Sequence, residues 1–456
     1  MKRKNDSHIR WATRWMTTIL PVYLFALLPL LASCSDDIFD HSKEGGSTGQ
    51  VVISLADVGS DRLAGFEVTL RNTATNSIFT AVTDNQGMAL FTVTPGIYEA
   101  SASKRQSETG MGYAYVFNGT SGQITISSGQ TTMTSIRIKT ARTSQIIIKE
   151  LYSGGCMKDD GTTQFQYDKC VILYNNSSQP LSLSNLCLGA VTPANAQATN
   201  RNYDDDGKLV YEAEGFIPVW NGIWYFPQTL DIAPYQQVVV NIHGAIDNTQ
   251  TVSQSVNYAN SDYYCMYDPE SGYVNTNYYP TPSDLIPSSH YLKAVVFGLG
   301  NAWPFSVSSP AMVLFQTKDI APRDYANNTE NLWYTGNAVS QVNACVKVPN
   351  EWILDAIEVY SSAYATSSVK RLTADIDAGY VWLTNFHGHS LYRNIDKAAT
   401  EALPENEGRL VYDDGNADPC GIDAEASMSR GAHLIYSDTN NSTNDFHERQ
   451  QCSLRK

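Results

Sequence analysis

The sequence predicts an all-β protein of two successive β-sandwiches, the second larger than the first and carrying long loop insertions. Three observations carry this. Short β-rich runs recur along the chain with Gly, Pro, Asn and Asp between them. Tyr is abundant at 27 residues while Lys and Arg together number 31, a balance that suits strands and aromatic contact surfaces. A hydrophobic content of 42% is ample for globular cores, and the chain is too long for one ordinary sandwich of about 100 residues.

The N-terminus reads as an export signal. Lys2, Arg3, Lys4, Arg10 and Arg14 form a basic leader, followed by an almost uncharged run from Ile19 to Leu31 interrupted only by Pro21 and Pro29. That run is short for a bilayer-spanning helix, which needs about 20 apolar residues. It ends in Leu31-Ala32-Ser33-Cys34, which resembles a bacterial lipobox. The resemblance implies that residues 1–33 are a signal peptide and that Cys34 is lipidated and becomes the mature N-terminus. Ser35-Asp36-Asp37 and Asp40 follow. They resemble the acidic tract that directs lipoproteins of Bacteroides-type bacteria to the outer face of the outer membrane. Residues 34–49 are rich in Ser, Asp and Gly, a composition that buries too little apolar surface to order itself, and are read as a tether. The expected location is therefore the cell outer membrane, lipid-anchored and facing the exterior.

A net charge of -15 and a pI near 4.9 exclude nucleic acid as a natural partner, because its phosphates repel such a surface. Seven cysteines remain after Cys34, an odd number that cannot all pair within one chain. None forms a C-x-x-C motif, so zinc and thioredoxin-like redox sites lack their usual signature. Export permits disulfides, and the expectation is one to three structural bridges with at least one free buried thiol.

From Gln50, "VVISLADVGSDRLAGFEVTLRN" and "IFTAVTDNQGMALFTVTPGIYEASAS" give strands separated by turns at Asp84-Asn85-Gln86-Gly87 and Pro95-Gly96. This arrangement over residues 50–140 resembles carboxypeptidase-regulatory-like and transthyretin-like sandwiches, which serve as spacers or adhesion units. A second unit, residues 144–456, begins with a strand over Gln145 to Tyr152. Val171 to Tyr174 is a β run, Asn175 to Pro180 a turn cluster, and Leu181 to Leu188 alternates apolar and polar residues. Ile148, Glu150, Leu151 and Tyr152, with Leu173, Tyr174 and Asn175, resemble the strand motifs of the lamin-tail domain, an immunoglobulin-like sandwich. Ile172 departs from that pattern, which commonly has an acidic residue there. From lipobox to the C-terminal Asn441 to Phe446 and Ser453 to Arg455, the chain resembles an uncharacterised family of lamin-tail-like lipoproteins. What that resemblance implies is a surface accessory to TonB-energised receptors in nutrient, metal or haem uptake.

The insertion at about 245–310 packs Tyr258, Tyr263, Tyr264, Tyr267, Tyr273, Tyr278 and Tyr279 among Asn, Ser and Asp. Loop tyrosines offer rigid amphipathic contact area, so Tyr263 to Tyr279 form a candidate ligand face. The competing reading is a long loop that packs its own small core. His387 and His389, at i and i+2, would share a face if extended and are a candidate chelating pair for Cu, Ni or Zn; a turn about Gly388 is the alternative. Asp413, Asp414, Asn416, Asp418 and Asp423 offer hard oxygens, but Pro419 breaks the calcium-loop pattern and a capped turn is expected. Asp204 to Gly207 reads as an acidic hairpin tip. There is no G-x-S-x-G elbow, no H-E-x-x-H helix and no phosphate loop, and "GLGNAW" from Gly298 lacks its third glycine. The reading is a non-catalytic binding protein with no cofactor. An adhesive protein for host or envelope polymer is the alternative, and a hydrolase built on scattered carboxylates a distant one. Sequence alone leaves the ligand, the disulfide pairing, metal occupancy and the oligomeric state open.

Overall fold

Strand alternation organises the first part of the chain. In the computed structural model, which describes residues 48–59, 63–107, 114–271, 278–298, 305–413 and 418–455, strand Gly49–Ala56 runs between Met88–Val93 and Thr131–Arg137, antiparallel to the former and parallel to the latter. Alternate residues such as Val51, Ile53, Phe91 and Val93 point inward, the period of two that one buried face requires. A second sheet faces it, in the order Ile78–Val82, Glu67–Asn72, Gly96–Ser107, Ala114–Thr120, Lys139–Arg142, with Ile124–Ile126 added to the long strand. Phe66 and Phe117 meet edge to face in the core between them, 6.1 Å apart. The turn at Asp84 forms as its sequence predicts. Its carboxylate accepts the amides of Gln86 and Met88, and Gly87 takes φ +74°, a conformation that costs glycine least.

The second part is a larger sandwich. One sheet has the order Tyr264–Cys265, Gln237–Asn241, Cys170–Asn175, Ile146–Tyr152, Ser390–Arg393, Phe446–Arg449. The other runs Leu332–Tyr334, Ala344–Pro349, Phe216–Tyr225, Leu186–Val191, Ala311–Gln316, Ile353–Ser361, Val381–Leu383, with Lys293–Val296 also paired to Phe216–Tyr225. Ile148, Leu173, Leu188, Trp224, Leu314 and Ile357 fill the space between them. The outer faces are covered too. Cys187, Ile217, Val313 and Phe315 pack under a second apolar layer, and Ile147, Tyr174 and Tyr392 under a third. Strands Ile146–Tyr152, Cys170–Asn175 and Leu186–Val191 are consequently buried on both sides, which explains why they read as continuous hydrophobic runs.

Two expectations need correction here. The stretch from Leu181 to Leu188 is two strands, Leu181–Leu183 and Leu186–Val191, which join different sheets. Asn185 breaks it with φ +56°; asparagine tolerates that left-handed conformation better than most residues. The segment from 245 to 310 is also more than a loop. It supplies an edge strand to each large sheet and places Tyr279, Leu292, Ala294 and Phe305 in the core between them. Ile172 is fully buried beside Val239 and Tyr258, a position that accepts only an apolar side chain without a compensating partner.

The cysteines also depart from expectation. Cys156, Cys170, Cys187, Cys265, Cys345, Cys420 and Cys452 are free, all buried except the half-buried Cys420. Cys452 lies against the Cys170 thiol, and burial pushes the Cys156 and Cys420 thiols up to about 12. They act as small apolar core residues. Among the described residues no helix is long and apolar enough to cross a membrane. Cys34, Ser35, Asp36 and Asp37 lie outside the described residues.

A buried ionic cluster ties the two large sheets together. Arg393 Nη2 lies 2.5 Å from Asp355 Oδ2, and Nη1 lies 3.3 Å from Asp438 and 3.7 Å from Asp445. Arg393 Nε also donates to the Ile148 carbonyl at 2.8 Å, while Asp355 accepts the Ile148 amide at 2.5 Å. One guanidinium faces three carboxyls. Burial raises Asp355 to about 7 and Asp445 to about 6, against the lowering effect of Arg393 and with a further rise from Asp438.

These features generate three predictions. Arg393→Met strands buried carboxylates without their cation and is expected to lower the unfolding free energy by about 3–5 kcal/mol in denaturant titration. The raised carboxyls bind protons more tightly in the folded state than in the unfolded one. Their contribution to stability is full at low pH and is lost as pH rises from about 4 through the folded values of about 6 and 7. The fall in unfolding free energy between pH 5 and 7.5 is therefore expected to be shallower in Asp355→Asn than in wild type. Finally, alkylation in denaturant without reductant is expected to label all seven cysteines. A mass short by two labels, from bridged Cys170 and Cys452, would contradict the free-thiol assignment.

Candidate functional site

A cleft of about 570 Å³ opens where the small sandwich meets the large one. On the small sandwich, Val68 and Leu70 of strand Glu67–Asn72 point into the local core, so Thr69 and Arg71 face the other way. Their register partners on strand Gly96–Ser107 are Ser101 and Glu99. The result is a polar ladder of paired side chains along one wall, extended by Thr120, Ser121 and Gln123.

The opposite wall is aromatic. Tyr360 and Trp382 are register partners on neighbouring parallel strands, and Tyr380 precedes Trp382 by two residues, which places both on one face. Tyr360 and Tyr380 stack with centroids 3.9 Å apart, and Trp382 meets each of them edge on at 5.5 Å. The loop carrying Tyr380 is pinned from several sides. Lys370 Nζ donates to the carbonyls of Asp377 at 2.7 Å and Gly379 at 2.5 Å. Thr443 Oγ1 accepts the Tyr380 amide at 3.0 Å and donates to its carbonyl at 2.9 Å. A Cβ on Gly379 would overlap Asn441 Oδ1, so only glycine lets the 441–443 segment approach this closely.

Arg71 joins the walls. Its guanidinium lies 4.9 Å from the Tyr380 ring centroid and 3.0 Å from Glu99 Oε2, and it bonds the Tyr380 hydroxyl. That hydroxyl donates to Glu99 Oε2 at 2.8 Å. Burial, opposed by Arg71 and assisted by Glu99, pushes the phenol up to about 12, so it stays a neutral donor. Asn444 adds contacts of 3.1 Å to Ser101 and to Ser103. Among the described residues Glu99 is the one carboxylate of the cleft lining.

The residues singled out in the sequence fall elsewhere. Of the tyrosines in the 245–310 segment, Tyr258 and Tyr279 are buried, whereas Tyr263, Tyr264, Tyr267 and Tyr278 are half-buried. Tyr258 is fully buried and Tyr263 packs on the same cluster, at the rim of a recess of about 380 Å³ with Asn257, Asn260 and Arg455. Tyr264 stacks on His290 at 4.2 Å, Tyr267 meets Tyr291 at 5.4 Å, Tyr278 meets Tyr167 at 5.3 Å, and Tyr279 packs on Trp224 at 5.1 Å. Tyr273 lies outside the described residues. Tyr264, Tyr278 and Tyr279 share one apolar cluster, while Tyr263 and Tyr267 pack on two others.

His387 and His389 flank Gly388 in a turn, not a strand, with φ +62° at Phe386 and +75° at Gly388. Their ring centroids are 5.9 Å apart, and His389 Nδ1 lies 3.1 Å from Glu448 Oε1. Among the described residues no group of three His, Cys, Asp or Glu side chains is arranged to hold a metal ion. Asp418 accepts the amides of Cys420 and Ile395, and Asp423 caps helix Ala424–Ser429. Asp204 closes its own turn by accepting the amides of Asp206 and Lys208. These acids serve the backbone.

The cleft itself escaped sequence reasoning, because its walls come from segments about 280 residues apart. The available signal was local: Tyr380 and Trp382 at i and i+2, an aromatic pair at the start of a short strand. Arg71→Met is expected to lower stability by about 1–2 kcal/mol, the loss of a partly buried ion pair and a cation–π contact. It should also alter the near-ultraviolet dichroism of the Tyr380–Trp382 cluster.

Comparison with known proteins places part of this wall in a family context. A family model described as "Protein of unknown function (DUF4876)" matches residues 233–419, a span that includes Tyr360, Lys370, Tyr380 and Trp382 but none of the small sandwich. The crystal structure of a DUF4876 family protein from Bacteroides thetaiotaomicron VPI-5482 is 20% identical, with a TM-score of 0.49 over 87% of this chain and 94% of that one. No curated protein matches the chain. It is similar, over residues 233–419, to a family whose function is described as unknown.

Proposed function

We propose that this chain is a non-catalytic binding protein, displayed on the outer face of an outer membrane through lipidated Cys34, whose ligand occupies the cleft between the sandwiches. The observation that carries the binding reading is the cleft. About 570 Å³ falls within the range of small-molecule sites, roughly 300–1,000 Å³. Its aromatic wall is held rigid by Lys370 and Thr443, which is the preorganisation that binding favours. The anchor rests on Leu31-Ala32-Ser33-Cys34 and the acidic run after it. The resemblance to receptor-associated lipoproteins extends the reading to an accessory of a TonB-dependent receptor in nutrient uptake. Adhesion to host or envelope polymer is the second reading, favoured by the hydroxyl-rich wall of Thr69, Ser101, Thr120 and Ser121.

Native purification from gently solubilised outer membrane, with mass spectrometry of proteins and bound small molecules, tests this. A receptor barrel is expected to co-purify, and Cys34→Ala is expected to release the chain from the membrane fraction. Recovery of the wild-type chain without a receptor favours the adhesive reading. Digestion by external protease only after cell lysis would contradict surface display.

A further inference from the structure

We infer that the cleft recognises an uncharged carbohydrate, a neutral oligosaccharide segment presented between the two sandwiches. This rests on the cleft being the binding site. Its charges are already answered: Arg71 is held by Glu99 at 3.0 Å, and Lys370 lies 3.8 Å from Glu358 while donating to two backbone carbonyls. Neither cation is left to hold a phosphate, sulfate or carboxylate, so an anionic ligand would enter without a free counter-charge.

What remains open to a ligand is short and neutral. Thr69, Thr120 and Gln123 line one wall, beside Ser101 and Ser121, whose hydroxyls donate to Asn444 and to the Gly122 carbonyl; hydroxyl and amide groups both donate and accept hydrogen bonds. A sugar hydroxyl does the same, so each finds a partner whichever way it is oriented. The facing aromatic wall gives the sugar's C–H face an apolar surface. A purely apolar ligand would leave the hydroxyls of Thr69 and Thr120 and the Gln123 amide without partners, a penalty that selects against it.

The test uses the full mature chain on an array of defined neutral oligosaccharides together with their sulfated and sialylated counterparts, followed by titration of each retained glycan with tryptophan fluorescence. Two variants accompany it: Trp382→Ala, which removes the aromatic surface, and Gln123→Ala on the opposite wall. Their thermal unfolding is compared with wild type, and Gln123→Ala carries the test if Trp382→Ala does not fold. Retention of neutral oligosaccharides, weakened about 5–10-fold by either variant, is the expected result. Exclusive retention of anionic glycans, or of none, overturns the carbohydrate assignment. In that case a non-saccharide molecule that co-purifies with wild type and is lost from the variants leaves the cleft as the binding site. Glycan binding that neither variant changes would instead overturn the placement in the cleft.

Discussion

Two buried carboxylates on a single strand hold the large sandwich in register. Asp355 and Glu358, three residues apart on Ile353–Ser361, fall on opposite faces because side chains alternate along a strand. Asp355 reaches across the core between the sheets to Arg393, and Glu358 meets Arg371 with Nη2 to Oε1 at 2.6 Å, both fully buried. Glu358 also accepts the amides of Arg371 and Leu372 at 2.8 Å, and Arg371 spends its remaining donors on the carbonyls of Pro193, Ser309 and Val359. Taking such ions out of water is costly, and each is tolerated because its partners are complete. A slip of one residue would exchange the two faces and leave both carboxylates without a cation. The pairs thus act on specificity of register as much as on stability.

The same strand leads directly to the cleft. Two residues beyond Glu358 lies Tyr360, whose register partner is Trp382. Asp377 links the two systems: it accepts the Glu358 amide at 3.0 Å, the Gly379 amide at 2.9 Å and the Ser442 amide at 2.7 Å. The aromatic wall is therefore continuous with the buried ionic network. The wall facing it belongs to a smaller sandwich with its own core, joined through polar contacts such as Arg71–Glu99–Tyr380 and Lys139–Glu212. Junctions of this kind, between independently packed layers, are where ligand sites commonly form.

Much of the architecture was legible in the sequence. The Ile146–Tyr152 and Cys170–Asn175 strands stood out as apolar runs because neither face meets water, and the turns at Asp84 and Asp204 were marked by acids that bond their own backbone. Other features were not local enough to read. Asn185 interrupts an alternating pattern through a single backbone angle, which no hydrophobic period reveals. The tyrosines between Tyr258 and Tyr279 were conspicuous by composition, yet composition does not say whether a ring faces solvent or a core. Tyr279 fills the space beside Trp224 between the sheets, whereas Tyr380, accompanied in sequence only by Trp382, lines the cleft. Arg71 and Glu99 look like ordinary surface charges until the large sandwich covers them.

The most direct test of the account is hydrogen–deuterium exchange on the purified chain with and without a neutral oligosaccharide, the ligand proposed for the cleft. The account predicts added protection in strands Glu67–Asn72 and Val381–Leu383, the two walls of the cleft. Protection confined to the tyrosine-bearing segment from 245 to 271, with the cleft strands unchanged, would contradict it.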